Sequence, residues 1–294
     1  MRANDPNLPH LRQIAQALGE LREQVVFVGG AVAGLLVTDP LADSVRATRD
    51  VDAVVNASRA GFHRIEEAVA ACGFARDVSS EVICRWVHKA SGVIFDLMPV
   101  QPEVLGFSNR WYPYAVETAV PADLGQGVVI RLVSATAFVA TKLEAFASRG
   151  GGDFLSSHDL EDVLNIVDGR EELASEMRMA PPELRAAVAT ALAMWVKPWT
   201  PNAVSAPRNR ADRPWVRTPA TVEAATRVAM IPMLTLAWVC DTPRCLNSSE
   251  TGAQAGSCCS ARLDVAGMVR SSSASCTAKA ANRPRQTRVV SSMR

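Results

Sequence analysis

This chain of 294 residues lacks any long apolar segment. No run approaches the roughly 18 consecutive apolar residues that would predict a membrane-spanning helix. Its first residues are polar and include Pro6 and Pro9, which is unlike the pattern of a secretory signal peptide. Cysteine is scarce in the first 200 residues, where Cys72 and Cys84 stand in apolar surroundings typical of reduced core thiols. These absences predict a cytoplasmic protein with no membrane partner and no disulfide framework.

The sequence also lacks the ligand spacing of a zinc site. Its other cysteines lie after residue 200, without the paired spacing that zinc ligands show. Histidine is rare, and His10, His63 and His88 each stand alone in the sequence. Neither residue type therefore indicates a zinc site.

Opposite charges are nearly balanced, with 31 Lys and Arg residues against 30 Asp and Glu residues. The balance hides an asymmetry, because residues 201–294 have a net charge of +8 and residues 1–200 a net charge of −7. The C-terminal part is rich in Ser, Thr and Ala and lacks sustained hydrophobic periodicity, which predicts a low-order basic tail. Two interpretations of this tail stay open: an RNA-binding arm, or a translated out-of-frame or read-through extension.

A Gly-Gly turn separates an apolar run from a pair of carboxylates. Residues 25–28 indicate a buried strand that ends at Gly29 and Gly30, and a short apolar segment follows over residues 31–37. Backbone N–H groups in such a turn ahead of a helix favour a phosphate group. Taken alone, the same pattern is also typical of an ordinary turn.

Asp50 and Asp52 lie one residue apart in the next predicted strand, residues 48–55. Their side chains share one face because strand side chains alternate, and like charges held that close repel unless a cation lies between them. Carboxylate oxygens suit a hard divalent ion such as Mg²⁺. A phosphate element next to a metal element suggests phosphoryl or nucleotidyl transfer, whereas the alternative interpretation of the pair is a solvated strand edge.

A third carboxylate stands on an apolar strand. Residues 81–88 and 93–98 indicate two strands joined by a hairpin turn at Ser91 and Gly92, and Asp96 lies within the second strand. Because an unpaired buried carboxylate costs several kcal/mol, Asp96 is expected to have a cation or hydrogen-bond partners. It is therefore either a metal ligand or a satisfied structural residue.

The order of strand, Gly-Gly turn, helix and strand with Asp-x-Asp resembles the first motif of the polymerase-beta-like nucleotidyltransferases. Gly29 and Gly30 match the turn of that family, and Asp50 and Asp52 match its acidic pair. The resemblance implies that Asp96 is the third acidic ligand and that Mg²⁺ or Mn²⁺ is the cofactor. It also implies that the metal ions bind the triphosphate of an NTP and activate an acceptor hydroxyl.

The second half of the first 200 residues is predicted to be helical. A strand at residues 128–132 leads to Ser134, a plausible N-cap for a helix over residues 135–148, and a second helix starts near Ser156 and Ser157. Lys142 lies on the first of these helices. Asp159 and Asp162 on the second helix share a face because they are three residues apart.

These helical residues resemble the third motif of the AbiEii/AbiGii-type nucleotidyltransferases, which include toxins of toxin–antitoxin pairs. The match covers Lys142, Arg149 and the Asp159-Leu-Glu-Asp162 segment. The resemblance implies that Lys142 binds the triphosphate and that Asp159 positions the acceptor hydroxyl or acts as its base. It also implies a cognate antitoxin as a partner. A solvated charged face on a helix pair is the alternative interpretation.

We therefore expect an α/β (α+β) fold within residues 1–200, with a small mixed sheet at about residues 20–132 and a helical part at about residues 134–195. The expected function is metal-dependent transfer of an NMP from an NTP to a hydroxyl of RNA, of a protein or of a small molecule such as an aminoglycoside. Under this hypothesis Asp50, Asp52, Asp96 and Asp159 are catalytic, and Gly29, Gly30 and Lys142 bind the nucleotide. The alternative is a catalytically silent module that binds a nucleotide or a protein partner.

Overall fold

A mixed β-sheet with seven strands lies at the centre of the computed structural model, which describes residues 5–149 and 156–196. The strands are β1 (Val26–Val28), β2 (Asp50–Val55), β3 (Phe74–Arg76), β4 (Arg85–His88), β5 (Ile94–Pro99), β6 (Val120–Asp123) and β7 (Val129–Leu132). Their order across the sheet is β3-β4-β5-β2-β1-β7-β6. The pairs β2–β5 and β1–β7 are parallel, and the other neighbours are antiparallel.

Helices precede, connect and follow these strands. They are α1 (Leu8–Leu18), α2 (Ala33–Leu36), α3 (Arg59–Ala71), α4 (Pro102–Leu105), α5 (Tyr112–Glu117), α6 (Ala135–Arg149), α7 (His158–Gly169), α8 (Leu173–Met179) and α9 (Pro182–Val196), with short 3₁₀ helices at Gly19–Glu23 and Gly30–Val32. Serines act as N-caps of α3, α6 and α7: the hydroxyls of Ser58, Ser134 and Ser157 accept hydrogen bonds from the N–H groups of Gly61, Ala137 and Leu160, respectively. Capping of this kind sets where these helices begin.

The core fills the space between the central strands and the helices. All three residues of β1 are buried, and large aromatic side chains from strands and helices, including Phe27, Phe95 and Phe138, are almost completely inaccessible to solvent. Burying such side chains contributes roughly 1.5–3 kcal/mol each, so this cluster gives β1, β2 and β5 a rigid frame. Functional groups on β2 and β5 are thereby held at fixed positions.

The predicted α/β class, with a mixed sheet followed by a helical segment, is confirmed. The sheet is larger than expected, because β3 and β6 also form, and the strand predicted at residues 81–88 begins only at Arg85. Hydrogen bonds from Ser79 N to Asp77 and from Val82 N to Ser80 turn the chain before that strand. Residues 201–294, the predicted low-order tail, lie outside the described residues. Within the described ranges, no helix is long and apolar enough to cross a membrane.

Candidate functional site

Three carboxylates converge on one face of the sheet, at the boundary between β2 and β5. Asp52 and Asp96 are direct neighbours in the parallel register, and Asp50 lies two residues before Asp52 on the same face. One oxygen from each of the three groups lies within 4.8 Å of the other two. Asp96 is only 5% exposed, and the other two carboxylates are partly exposed. The structure thus brings together all three residues predicted to bind metal.

Arg85 on the neighbouring strand lies across this group of carboxylates. Its register partner in the antiparallel β4–β5 pair is Asp96. Arg85 Nε donates to Asp96 Oδ1 at 2.9 Å, and Arg85 Nη2 donates to Asp96 Oδ2 at 2.7 Å. The same Nη2 also lies 3.5 Å from Asp50 Oδ2. A guanidinium fork therefore partly neutralises two of the three carboxylates.

Asp52 is the least compensated member of the group. No hydrogen bond or ion pair involves its side chain in the part of the chain that the structure describes. Burial, followed by the charges of Asp50 and Asp96, raises the pKa of Asp52 to about 7, although Lys142 and Arg149 oppose the shift. A carboxyl in this state gains from any additional cation that reaches it.

The Gly-Gly turn lies directly against these carboxylates. Gly29 has a φ of 74°, in the left-handed region, and a Cβ placed on it would collide with the Asp52 carboxylate. A Cβ on Gly30 would lie 2.6 Å from Arg46 Nη2 and 3.0 Å from Asp162 Oδ2. Both glycines are thus required for close approach of the backbone to charged groups. The segment that follows them is short, a 3₁₀ turn and the four-residue helix α2. The role of both glycines in nucleotide binding stays a prediction.

A network of alternating charges adjoins the carboxylates on the helical side. Lys142 of α6 is buried, and its Nζ lies 2.8 Å from Asp162 Oδ2 and 3.1 Å from Asp159 Oδ1 on α7. Arg46 pairs with Asp162 through two hydrogen bonds of 3.1 Å. Arg149 pairs in the same way with Asp159, at 3.2 and 3.1 Å. The network joins the loop before β2 to both helices.

Neighbouring charges in this network stabilise the charged forms of Lys142 and Asp159. Burial alone would lower the pKa of Lys142, but Asp162 and Asp159 raise it above its ordinary value. Burial likewise opposes the ionisation of Asp159, but Lys142 and Arg149 lower the pKa of that carboxyl. A carboxylate that is held ionised by two cations is a weak base. For Asp159, the arrangement favours the positioning alternative over the base.

Asn7 is a positioning residue without a recognisable signal in the sequence. It is completely buried just before α1, and its Oδ1 accepts a hydrogen bond from Thr48 N at 2.8 Å. Its Nδ2 donates to Arg46 O at 3.0 Å, and Thr48 Oγ1 donates to Asp50 O at 3.1 Å. Asn7 therefore fixes the loop segment that delivers both Arg46 and Asp50 to the site.

The donor set fits a hard divalent cation. Three carboxylates supply oxygen ligands only, which are the ligands preferred by Mg²⁺ and Mn²⁺. Burial and the charges of Asp50 and Asp96 raise the pKa of Asp52, so a cation at this position would stabilise its ionised form. Asp50, Asp52 and Asp96 are therefore the residues that could hold such an ion.

Sequence comparison finds no match to a protein-family model or to a curated protein. Similar solved structures include an antigenic nucleotidyltransferase-like protein from Paracoccidioides brasiliensis, 21% identical, with a TM-score of 0.43 over 66% of this chain and 88% of that protein. ANT(2'')-Ia in complex with adenylyl-2''-tobramycin is 14% identical, with a TM-score of 0.38 over 64% of this chain and 98% of its own. JHP933 from Helicobacter pylori is 14% identical, with a TM-score of 0.34 over 82% of this chain and 96% of its own. Similarity at this level assigns neither a family nor an activity to the chain.

Proposed function

We propose that this protein is a metal-dependent nucleotidyltransferase that moves an NMP from an NTP to an acceptor hydroxyl. The observation that carries the proposal is the convergence of Asp50, Asp52 and Asp96, with oxygens within 4.8 Å of one another. The Gly29 turn and the buried Lys142 lie next to this convergence. The motif order in the sequence, which resembles the polymerase-beta-like nucleotidyltransferases, supports the same assignment.

In the proposed reaction, the acceptor oxygen forms a bond to the α-phosphorus of the NTP. The bond from that phosphorus to the leaving pyrophosphate breaks, and the hydroxyl proton passes to solvent. A divalent ion held by the three aspartates would balance charge on the α-phosphate and polarise the acceptor hydroxyl.

The residues of the chain bind and orient the two substrates. Gly29 lets the backbone approach closely, and Lys142 and Arg149 supply positive charge toward the triphosphate. Because Lys142 is shared by two carboxylates, it acts as a fixed point charge, whereas the side chain of Arg149 is 71% exposed and can reach a ligand. Asp159 orients the acceptor hydroxyl by hydrogen bonding.

A transfer assay on the full chain tests the proposal. Each of the four NTPs, labelled on the α-phosphate, is incubated with Mg²⁺ or Mn²⁺ and with RNA, protein or aminoglycoside acceptors. We expect label to appear on one acceptor class, with stoichiometric release of pyrophosphate. Asp96→Asn should abolish the transfer, whereas Asp168→Asn, an exposed carboxylate on α7, should not. Failure of the wild-type chain to bind Mn²⁺ in the presence of an NTP would contradict the proposal.

A toxin role is the finer form of this proposal, and it rests on the sequence resemblance to AbiEii/AbiGii-type proteins. Transfer to RNA or protein would be toxic to a cell, and a cognate antitoxin would be the partner that suppresses it. Induced expression of the wild-type chain and of Asp52→Asn in a bacterial host tests this role. Growth arrest by the wild-type chain alone is the expected result, and equal growth of both strains would contradict it.

The second candidate function is a catalytically silent module that binds a nucleotide or a protein partner. One observation favours it, namely that Arg85 already bridges Asp96 and Asp50 as a resident cation. If that guanidinium cannot leave, the carboxylates bind no metal and the site serves only as a charged structural element. Titration of the full chain with Mn²⁺ separates the two candidates.

A further inference from the structure

Arg85 was not among the residues that the sequence motifs indicated, yet it makes the closest charged contacts to the metal-site carboxylates. We propose that Arg85 is a resident counter-cation that moves from these carboxylates to the triphosphate when metal and nucleotide bind. In this role it makes the two binding events depend on each other. The inference rests on the proposed nucleotidyltransferase function.

A divalent ion and Arg85 compete for the same carboxylate oxygen atoms. Arg85 engages both oxygens of Asp96, at 2.9 and 2.7 Å, and approaches Asp50 Oδ2 at 3.5 Å. A divalent ion shared by the three carboxylates must use oxygens from the same two residues. A hydrogen-bonded guanidinium and a bound cation on one carboxylate edge repel each other. Metal binding therefore requires Arg85 to give up at least part of this contact.

The side chain of Arg85 is able to move. Its backbone is held in β4 by the pairing with β5, but its side chain is 20% exposed, whereas the side chain of Asp96 is 7% exposed. Among the described residues, its ion pairs are those with Asp96 and Asp50. A long arginine side chain can therefore rotate toward solvent from a fixed Cα without any change in the sheet.

The released guanidinium moves to a phosphate group of the bound triphosphate. The planar fork that matches a carboxylate edge also matches two oxygens of a phosphate group. A triphosphate bound at the metal ion would lie beside the same face of the sheet and carry several negative charges. Arg85 then exchanges a carboxylate partner for a phosphate partner and keeps a comparable ion pair. Metal binding alone lacks this compensation, so metal and triphosphate should bind cooperatively.

Two titrations of the full chain test the inference, with Arg85→Gln compared with the wild type. In the first, Mn²⁺ alone is added and binding is followed by calorimetry. We expect Arg85→Gln to bind Mn²⁺ about fivefold to tenfold more tightly, because the competing cation is gone. In the second, a preformed complex of Mg²⁺ with inorganic tripolyphosphate is added, which avoids any dependence on the base. Here Arg85→Gln should bind about fivefold to tenfold more weakly, because a phosphate partner is lost.

The opposite signs of the two effects separate this role from a structural one. Loss of a structural contact would weaken both kinds of binding, and that result, or equal affinities, would overturn the inference. Arg64→Gln is the matched control, because Arg64 is an exposed arginine on α3, and both affinities should stay at the wild-type values. Arg85→Lys provides a second variant if Arg85→Gln does not fold. It keeps the charge without the fork, so smaller changes in the same two directions are expected.

The Mn²⁺ titrations distinguish a failed role for Arg85 from a failed nucleotidyltransferase function. A wild-type chain that binds Mn²⁺ with the same affinity as Arg85→Gln overturns the role of Arg85 and leaves the metal site in place. If the wild type binds no Mn²⁺ alone but Arg85→Gln does, the competition is supported. The wild type is then the silent module only if it also fails to bind the complex of Mg²⁺ with tripolyphosphate. If neither chain binds Mn²⁺, both the proposed function and the inference are overturned.

Discussion

Asp52 carries unbalanced charge in the metal-free protein. Its carboxyl lies next to Asp50 and Asp96, and the guanidinium of Arg85 forms ion pairs with those two neighbours. A raised carboxyl pKa means that the folded state holds a proton that the unfolded state releases. The ordinary pKa of this group is 3.8 and the folded-state pKa is about 7. The ionisation of Asp52 therefore lowers the stability of the fold as the pH rises through this range. The cost is absent below about pH 4, where both states are protonated, and it is complete above about pH 7.

We predict that Asp52→Asn raises the melting temperature in metal-free buffer at pH 8. The reason is that the neutral amide avoids burying an ionised carboxylate and removes its repulsion with Asp50 and Asp96, at almost the same volume. The rise should be a few degrees, on the order of 1–2 kcal/mol, and should shrink steadily as the pH is lowered from 7 towards 4. Thermal melts at several pH values measure it. Asp168→Asn, an exposed carboxylate, should show no such pH-dependent gain, and an equal gain in both variants would contradict the assignment.

Lys142 is the residue on which the buried network depends. Asp162 is completely buried, and it has Lys142 and Arg46 as its cations. We predict that Lys142→Met lowers the free energy of unfolding by about 3 kcal/mol, since removal of one partner leaves buried charge uncompensated. Chemical denaturation measures the change. Arg149→Met is the matched control, because its pair with Asp159 is solvent-exposed at the arginine end and should contribute less than about 1 kcal/mol.

This stability effect changes how nucleotide-binding data on Lys142 must be interpreted. Lys142→Arg keeps the charge and is expected to retain triphosphate binding better than Lys142→Met, when both are compared at a temperature where both are folded. If Lys142→Met binds tripolyphosphate as well as the wild type under those conditions, Lys142 is a structural cation only.

The turn after β1 lies against the carboxylates of the candidate metal site. Gly29 and Gly127 both have positive φ values, of 74° and 76°, but a Cβ meets the Asp52 carboxylate at Gly29 and open space at Gly127. We predict that Gly29→Ala and Gly127→Ala each lose about 1–2 kcal/mol through backbone strain. Only Gly29→Ala should also weaken Mn²⁺ binding, because the added methyl group displaces Asp52. Denaturation and calorimetry on both variants check this, and equal Mn²⁺ affinities would show that the turn does not hold the site in place.

The position of the loop that precedes β2 depends on the buried side-chain amide of Asn7. We predict that Asn7→Ala lowers the free energy of unfolding by about 2 kcal/mol, because Thr48 N loses its buried acceptor. Mn²⁺ affinity should fall as well, since the loop residues preceding Asp50 lose their anchor. Asn109→Ala, which breaks a buried contact to Thr141 O away from that loop, should lower stability without the loss of metal affinity. Loss of metal affinity in both variants would indicate a general loosening of the fold.

The strands that carry the site could be predicted because their signals are local. Alternation within β2 places Asp50 and Asp52 on one face, and an apolar run identifies β5 around Asp96. The position of Arg85 could not be predicted in the same way. A two-residue turn at Ser91 and Gly92 would place Arg85 opposite Met98. In the structure, however, His88 N donates to Val93 O and the turn has four residues, which moves Arg85 opposite Asp96.

Contacts between distant segments were equally inaccessible to sequence reasoning. The spacing of Asp159 and Asp162 predicted that they share a face of α7. It contained no information that Arg46, from a loop more than 100 residues earlier, pairs with Asp162. The same holds for Asn7, a common polar residue that has no motif around it. Such contacts arise from packing of whole elements, and their signal appears only once the fold is known.

For the molecule as a whole, the distribution of charge sets the final prediction. Residues 1–200 have a net charge of −7 and contain every residue of the candidate site, whereas residues 201–294 have a net charge of +8. We predict that a chain ending at Trp199 stays folded and binds Mn²⁺ and tripolyphosphate within about twofold of the full chain.

RNA binding is the property that should distinguish the two chains if residues 201–294 act as a basic arm. Affinity that comes from phosphate contacts falls steeply with salt, because each contact releases a condensed counterion. The full chain should then bind single-stranded RNA at low salt with a salt dependence that the chain ending at Trp199 lacks. Equal RNA affinity in both chains would exclude the basic-arm interpretation and favour an extension without function. Aggregation of the shorter chain, or loss of its Mn²⁺ binding, would show instead that the C-terminal residues belong to the folded domain.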